Sequence, residues 1–325
     1  MLLIGDIGGT NTRVAVLTPD GAKTVHERRV PSREHTTFTA ALKAALVGTK
    51  FRYTSACFGI AGPVSNNRCV ATNLPWIIDG RALGRAFKVP RVRLVNDLVA
   101  LAYGALHAKK NQLVPLNGSR LPKTKGFNLT IIAAGTGLGE AALIWDEVHQ
   151  QHVPLGTEGS HGDYASRDDL EHELRHFLSL RHGRVSTERV VAGPGLKALY
   201  EFFRDAKKLP EGDLPRPQAD FSAEVTRLGL ADSNPCARAA VDLFVRAYGA
   251  EAGNMALRYW AMGGVYVAGN IAHVLIEKMR SSAFRDAFVT KGRFSPTLET
   301  LPVALVADSN IGLQGAAVLA RKAGR

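Results

Sequence analysis

The sequence predicts an α/β protein, and three observations carry that prediction. Strand-like apolar runs alternate with helical stretches along the chain, the arrangement that builds at least partly parallel sheets. A strand, a glycine turn and a second strand occur at residues 2–17 and again at 128–145. The 325 residues exceed what a single core usually organises, so two domains, or one large α/β unit with a cleft, are expected. The repeated strand and turn pattern suggests two related halves facing one ligand.

Taken in order, Leu2–Ile4 and Val14–Leu17 read as strands on either side of Gly5-Asp6-Ile7-Gly8-Gly9-Thr10-Asn11. A helix is expected near Thr37–Leu46 and a strand at Ser55–Ile60, followed by a loop holding Gly62-Pro63-Val64. Gly80–Phe87 reads as a helix, Val92–Val95 as a strand, and about Asp97 to His107 as a helix. Residues 108–126 carry Lys, Asn, Gly, Pro and Ser and read as a connection between units. The second unit opens with a strand at Asn128–Ala134, the turn Gly135-Thr136-Gly137-Leu138-Gly139 and a strand at Glu140–Trp145. Helical stretches are expected at Asp168–Leu180, Ser186–Phe203 (broken and restarted at Gly193-Pro194-Gly195) and Ala237–Ala261, and a surface loop at 204–220 with Pro210, Pro215 and Pro217. Gly264–Ala268 reads as a strand meeting Gly269-Asn270-Ile271, Pro302–Val306 as a strand, and Gly312–Lys322 as a closing helix.

Composition excludes several function classes. Hydrophobic content of 46% and charged content of 22% are those of an ordinary globular protein. No apolar run reaches the ~20 residues of a membrane-crossing helix. A secretory leader and a peroxisomal address are not expected from the two ends of the sequence. Cys57, Cys69 and Cys236 are too scattered for a disulfide framework or a zinc site, so reduced thiols in a cytoplasm are expected. The formal charge of +12 raises nucleic-acid binding, but the basic residues are dispersed, as in Arg28-Arg29, Lys109-Lys110 and Lys207-Lys208. A basic surface that favours anionic substrates or solubility is the better reading, with neither nucleic acid nor membrane as partner.

The first glycine turn has two readings. Gly8 and Gly9 suit a plain β-hairpin. Flanked by Asp6, Thr10 and Asn11, they equally suit a phosphate cradle, with backbone N–H groups converging on an anion and the carboxylate facing a cation. The second reading alone accounts for the polar neighbours. Asn96-Asp97 ends a strand and begins a helix, so Asp97 reads locally as a helix cap. Ligands also bind at the carboxyl ends of such strands, and the two roles are compatible. Glu158-Gly159-Ser160-His161 could grip a polyol or be a solvated loop. With one His and no Cys, it is a weak zinc candidate. Glu188 suits a helix N-terminus. Gly135–Gly139 lacks the G-x-G-x-x-G spacing and leads into a strand, so a second phosphate-facing turn fits better than a dinucleotide fold. The Walker pattern is absent.

Together these pieces resemble the bacterial-type glucokinase family of the hexokinase and actin-like ATPase superfamily. The resemblance rests on Gly5-Asp6-Ile7-Gly8-Gly9-Thr10-Asn11, Ala61-Gly62-Pro63-Val64, Thr72-Asn73-Leu74-Pro75-Trp76, Val95-Asn96-Asp97 and Ala134–Gly139. It continues through Glu158–His161, Ser186-Thr187-Glu188-Arg189, Gly193-Pro194-Gly195, Val267-Ala268-Gly269 and Gly312-Leu313-Gln314-Gly315-Ala316-Ala317, in family order across almost the whole chain.

The resemblance implies two ribonuclease-H-like domains flanking a cleft, a small one from residues 1–107 plus about 305–325 and a large one from 108–304. It implies transfer of the ATP γ-phosphoryl group to the 6-hydroxyl of D-glucose, with Asp97 as general base. Asn96, Asp97, Glu158, His161 and Glu188 would hold the glucose. Gly5, Asp6, Ile7, Gly8, Gly9, Thr10 and Asn11, with Gly135, Thr136, Gly137 and Gly139, would wrap the ATP phosphates. Gly269 would lie near adenosine, Asp6 would face Mg2+, and the protein would be a cytoplasmic homodimer. Another hexose as acceptor, polyphosphate as donor, or a non-catalytic sugar sensor are the alternatives. Two departures stand out: the family's Glu-Gly-Gly-His has Ser160 in its second glycine position, and its Gly-Gly after Val-Ala has Asn270 in the second place. The cysteine-rich zinc motif of the related repressor-kinase family is absent.

Overall fold

The computed structural model describes residues 1–71, 74–118, 120–216 and 219–324. Thr72 and Asn73 of the fourth motif segment and Pro217 of the proline loop lie outside the described residues. The chain forms two compact units: Met1–Gln112 with Pro154–Gly156 and the chain from Asp308 onward, and Leu113–Val153 with Thr157–Ala307.

In the first unit, β1 (Leu2–Ile7), β2 (Asn11–Leu17), β3 (Thr24–Pro31) and helix α1 (Phe38–Ala45) lead to β4 (Ser55–Ile60). A small antiparallel sheet of β5 (Val64–Ser65), β6 (Arg68–Val70) and β7 (Ile77–Asp79) follows, then α2 (Gly80–Phe87), β8 (Val92–Asn96) and α3 (Asp97–Leu106). The main sheet has the order β3-β2-β1-β4-β8, with β1 antiparallel to β2 and parallel to β4, and β4 parallel to β8. Alternation along β1 sends Leu3 and Ile7 into one core with Phe38, Phe58 and Trp76. Leu2 and Ile4 enter another with Tyr103 of α3 and Leu313 and Ala316 of the closing helix, Ile311–Gly324. A sheet buried on both faces needs such apolar strands.

The second unit contains β9 (Leu113–Pro115), β10 (Leu129–Ala134), β11 (Leu138–Asp146), β12 (Gln151–Thr157), α4 (Asp169–His182), α5 (Gly193–Glu201), α6 (Phe221–Leu230) and α7 (Pro235–Arg258). It ends with β13 (Gly264–Ala268), α8 (Asn270–Val274), α9 (Ile276–Met279), α10 (Ser282–Val289), α11 (Ser295–Thr300) and β14 (Val303–Val306). Its sheet runs β12-β11-β10-β13-β14-β9. Setting β9 aside, both large sheets place their strands in the order third, second, first, fourth, fifth. In each, the first strand is antiparallel to the second and parallel to the fourth.

Helix α7 is the centre of the second core. Asn234 caps it through the Ala237 N–H at 2.9 Å, and Pro235 occupies the first turn, where its missing N–H costs nothing. The buried Tyr248 hydroxyl accepts from the Ala134 N–H at 3.1 Å and lies 3.2 Å from both Ile132 O and Ala268 O. One phenol thus ties together the ends of β10 and β13, from which two glycine segments emerge.

Several expectations needed correction. The hairpin ladder continues through Asp6↔Arg13 and Ile7↔Thr12, so β1 and β2 reach further toward the turn than their apolar runs. Strand β9 lies inside the expected 108–126 connection and completes the second sheet against β14. Over Ser186–Phe203 the helix restarts at Gly193-Pro194-Gly195 as expected, but the stretch before it is only a single 3₁₀ turn, Thr187–Arg189, and α5 ends in a wider π turn, Phe202–Ala206. Pro194, without an N–H, fits the first turn of a new helix but not the middle of an old one. Among the described residues no helix is long and apolar enough to cross a membrane.

Candidate active site

At the carboxyl end of the first sheet, the ladder aligns Ile7, Ile60 and Asn96 side by side across three parallel strands. The first glycine turn, the Ala61–Val64 loop and the Asn96-Asp97 pair therefore leave the sheet along one edge. The turn is closed by the Gly8 N–H on Asn11 O at 3.0 Å. It is anchored from beneath by Ser32, whose hydroxyl donates to Gly8 O at 2.8 Å and whose N–H donates to Thr10 O at 2.8 Å. Ser32 is fully buried and also lies 3.0 Å from the Thr12 hydroxyl. Thr10 and Asn11 are left exposed.

Asp6 keeps solvent contact, yet enough protein surrounds its carboxyl for desolvation to raise its pKa. Arg13 and Arg29, its neighbours across β2 and β3, pull the pKa back down. Among the described residues no three His, Cys, Asp or Glu side chains gather as metal ligands. A lone carboxylate fits magnesium carried by a nucleotide, because that ion keeps several waters and takes one or two carboxylates beside the phosphates.

The cap of α3 is Asn96 and not Asp97 as expected: Asn96 keeps extended backbone while Asp97 is already the first helical residue. The Asn96 carboxamide oxygen accepts from the Leu98 N–H at 2.9 Å, and its amide donates to Gly62 O at 3.2 Å. The Asp97 carboxylate accepts from the same Leu98 N–H at 2.9 Å and is half-buried. The Leu98 N–H is thus shared by the side chains of two adjacent residues.

In the second unit, Gly135–Gly139 joins β10 to β11 and is pinned at both ends. The Gly193 N–H at the start of α5 donates to Gly135 O at 2.8 Å, and the Leu138 N–H donates to Glu188 Oε2 at 3.0 Å. The carboxylate lies so close over the turn that a Cβ at Gly137 would come within 2.6 Å of it. The same Glu188 has Oε1 3.9 Å from His161 Nδ1, and Glu158 Oε2 is 3.8 Å from His161 Nε2. The structure thus brings Glu158, His161 and Glu188 together, and unites them with the glycine turn.

Backbone pairing holds this cluster in place. Residues Asp163 and Ser186 form a β-bridge, the Thr187 N–H donates to Gly162 O at 3.0 Å, and Arg184 donates to His161 O at 2.7 Å. Ser160 is buried in the 3₁₀ turn Gly159–His161, so that departure is accommodated inward. Gly269, with φ of 92°, ends β13 beside the second turn, and Asn270 opens α8 in an exposed position. Sequence reasoning missed Ser32 and the double attachment of Glu188, because both link segments distant along the chain.

The glucokinase family profile matches residues 3–323. A glucokinase of Synechocystis is 36% identical over 98% of this chain and 97% of its own length. The crystal structure of a glucokinase from an Antarctic psychrotroph superposes with a TM-score of 0.84 at 28% identity, covering 99% of this chain and 98% of that one. A Streptomyces griseus ROK-family glucokinase, solved with glucose and AMPPNP, shares the fold with a TM-score of 0.67 at 19% identity, over 99% of each chain. On this full-length match, the chain belongs to the bacterial-type glucokinase family.

Proposed function

We propose that the chain is an ATP-dependent glucokinase that phosphorylates D-glucose at the 6-hydroxyl, with Asp97 as general base. The observation that carries the reading is the shared edge of the first sheet. The register Ile7↔Ile60↔Asn96 puts a glycine turn and a carboxylate at the same end of one sheet, after β1 and β8 with β4 between them. In the reaction, Asp97 takes the 6-hydroxyl proton as the oxygen attacks the γ-phosphorus. The bond to the β–γ bridging oxygen breaks, giving ADP and glucose 6-phosphate. Such transfers depend mainly on positioning and electrostatic stabilisation.

Asn96, Glu158, His161 and Glu188 hold the sugar's hydroxyls beside Asp97. The segment Gly5–Asn11 and the turn residues Gly135, Thr136, Gly137 and Gly139 present backbone N–H groups to the ATP phosphates, and Gly269 borders the adenosine. When bound, Mg2+ neutralises phosphate charge, and Asp6 holds it. The first unit then corresponds to the small domain and the second to the large, each a ribonuclease-H-like fold. The reading extends to a cytoplasmic homodimer, in keeping with the three free, buried cysteines of a reducing compartment.

A coupled assay over a panel of hexoses and amino sugars, with ATP and polyphosphate as donors, tests the function. The highest kcat/KM is expected for glucose with ATP. Preference for another acceptor, activity with polyphosphate alone, or binding without turnover would each overturn it.

A further inference from the structure

Glu140, on β11 two residues beyond the turn's Leu138, has no role in the mechanism above, yet it is 1% exposed. It pairs with Ile132 across the ladder. Its Oε1 is buried without a hydrogen-bond partner among the described residues. Its Oε2 lies against Gly159: a Cβ there would stand 2.6 Å from that oxygen and 3.2 Å from the Thr157 hydroxyl, which itself accepts the Gly159 N–H at 2.9 Å. Gly159 is the residue between Glu158 and the rest of the 3₁₀ turn that carries His161.

We propose that Glu140 is a positioning residue for the sugar site, its carboxyl forming the floor on which the Glu158–His161 turn rests. The proposal builds on the reading that Glu158 and His161 hold the acceptor. Burial pushes the Glu140 pKa up to about 8, with the Glu251 carboxylate adding to the rise and Arg258 opposing it. The titratable and charged groups facing it are Tyr248, Glu251 and Arg258 from α7. Lys291 lies behind Glu251, donating to Ala250 O at 2.9 Å and Asn254 Oδ1 at 2.7 Å. At neutral pH the floor is an uncharged acid. When it ionises, an anion whose Oε1 has no hydrogen-bond partner among the described residues sits against Gly159, and the turn is displaced.

The test is kcat, KM for glucose and KM for ATP from pH 7 to 9 in the wild type, Glu140→Gln and Glu140→Leu, with glucose Kd by calorimetry. In the wild type, KM and Kd for glucose are expected to rise about tenfold across that range while KM for ATP stays within about twofold. Glu140→Gln flattens the rise, and Glu140→Leu weakens glucose at every pH. A rise that Glu140→Gln leaves unaltered, or equal effects on glucose and ATP, would overturn the proposal. A double-mutant cycle reads the contact without reference to pH. Gly159→Ala should raise KM for glucose, and with Glu140→Ala in the same chain the double variant should be no weaker than Glu140→Ala alone, because trimming the carboxyl makes room for the new methyl. Additive losses would refute the contact. Unchanged glucose KM in Glu158→Gln and His161→Asn would instead sink the acceptor reading, whatever Glu140 does.

Discussion

The two glycine turns occupy the same place in two sheets of the same strand order, yet they are held differently. The turn at Gly8–Asn11 is anchored by Ser32, whose neutral hydroxyl donates to Gly8 O and whose N–H donates to Thr10 O. The turn at Gly135–Gly139 is anchored by a carboxylate, and Glu188 accepts from Leu138 while standing 3.9 Å from His161. A hydroxyl anchor fixes a shape and nothing else. A shared carboxylate makes the shape of one turn answer to what the neighbouring residues bind. One carboxylate therefore links the second turn to His161, and the anchor of the first turn carries no such shared charge.

The difference between the anchors can be broken in three ways. The largest effect concerns pH, because the second turn continues into a strand bearing a buried acid and the first does not. Glu140 has a folded pKa raised to about 8, above its unfolded value, so it favours folding fully only below the ordinary glutamate range. That stability is lost as pH rises toward 8. The wild type should lose ~3 kcal/mol relative to Glu140→Gln between pH 5 and 8, read from urea unfolding at each pH. Parallel pH profiles for the two proteins would contradict the burial argument.

Next comes Glu188→Gln, which removes the charge that serves both the turn and His161. It should raise KM for glucose and for ATP together, each by about tenfold, since a charge-assisted hydrogen bond contributes ~1.5–3 kcal/mol. Glu158→Gln, whose carboxylate meets His161 and not the turn itself, should raise KM for glucose alone. Steady-state kinetics with each substrate varied in turn distinguishes the two patterns, and identical patterns would dissolve the claimed coupling.

The smallest effect is expected from Ser32→Ala. Losing the buried hydroxyl leaves Gly8 O without its partner, at a cost of ~1–3 kcal/mol in stability. KM for ATP should rise a few-fold and KM for glucose should not move. A glucose effect equal to the ATP effect would show that the first turn is coupled as well.

Much of this arrangement was legible in the sequence, for identifiable reasons. Apolar runs interrupted by Gly8-Gly9 and by Gly135–Gly139 announce both hairpins, since few residues besides glycine allow such close backbone approach. The Asn96-Asp97 pair announced a helix start, although the cap is Asn96 and not the Asp97 expected. Edge strands were harder to see. Most of β3 is exposed, and β12 alternates poorly, so neither shows the apolar periodicity that identifies a strand. Hydrogen bonds between remote segments, such as Ser32 to Gly8 and Glu188 to Leu138, leave no local trace. Nor does anything around Glu140 in Gly139-Glu140-Ala141 distinguish a buried carboxyl from a solvated one.

The central claim is that Asp97 activates the 6-hydroxyl of glucose for attack on ATP. Its most direct test is single-turnover formation of glucose 6-phosphate by Asp97→Ala, alongside calorimetric glucose binding. The account predicts phosphoryl transfer slowed by about 10²–10⁴-fold with glucose binding still measurable, the range a positioned general base supplies. Transfer at a near wild-type rate would contradict it.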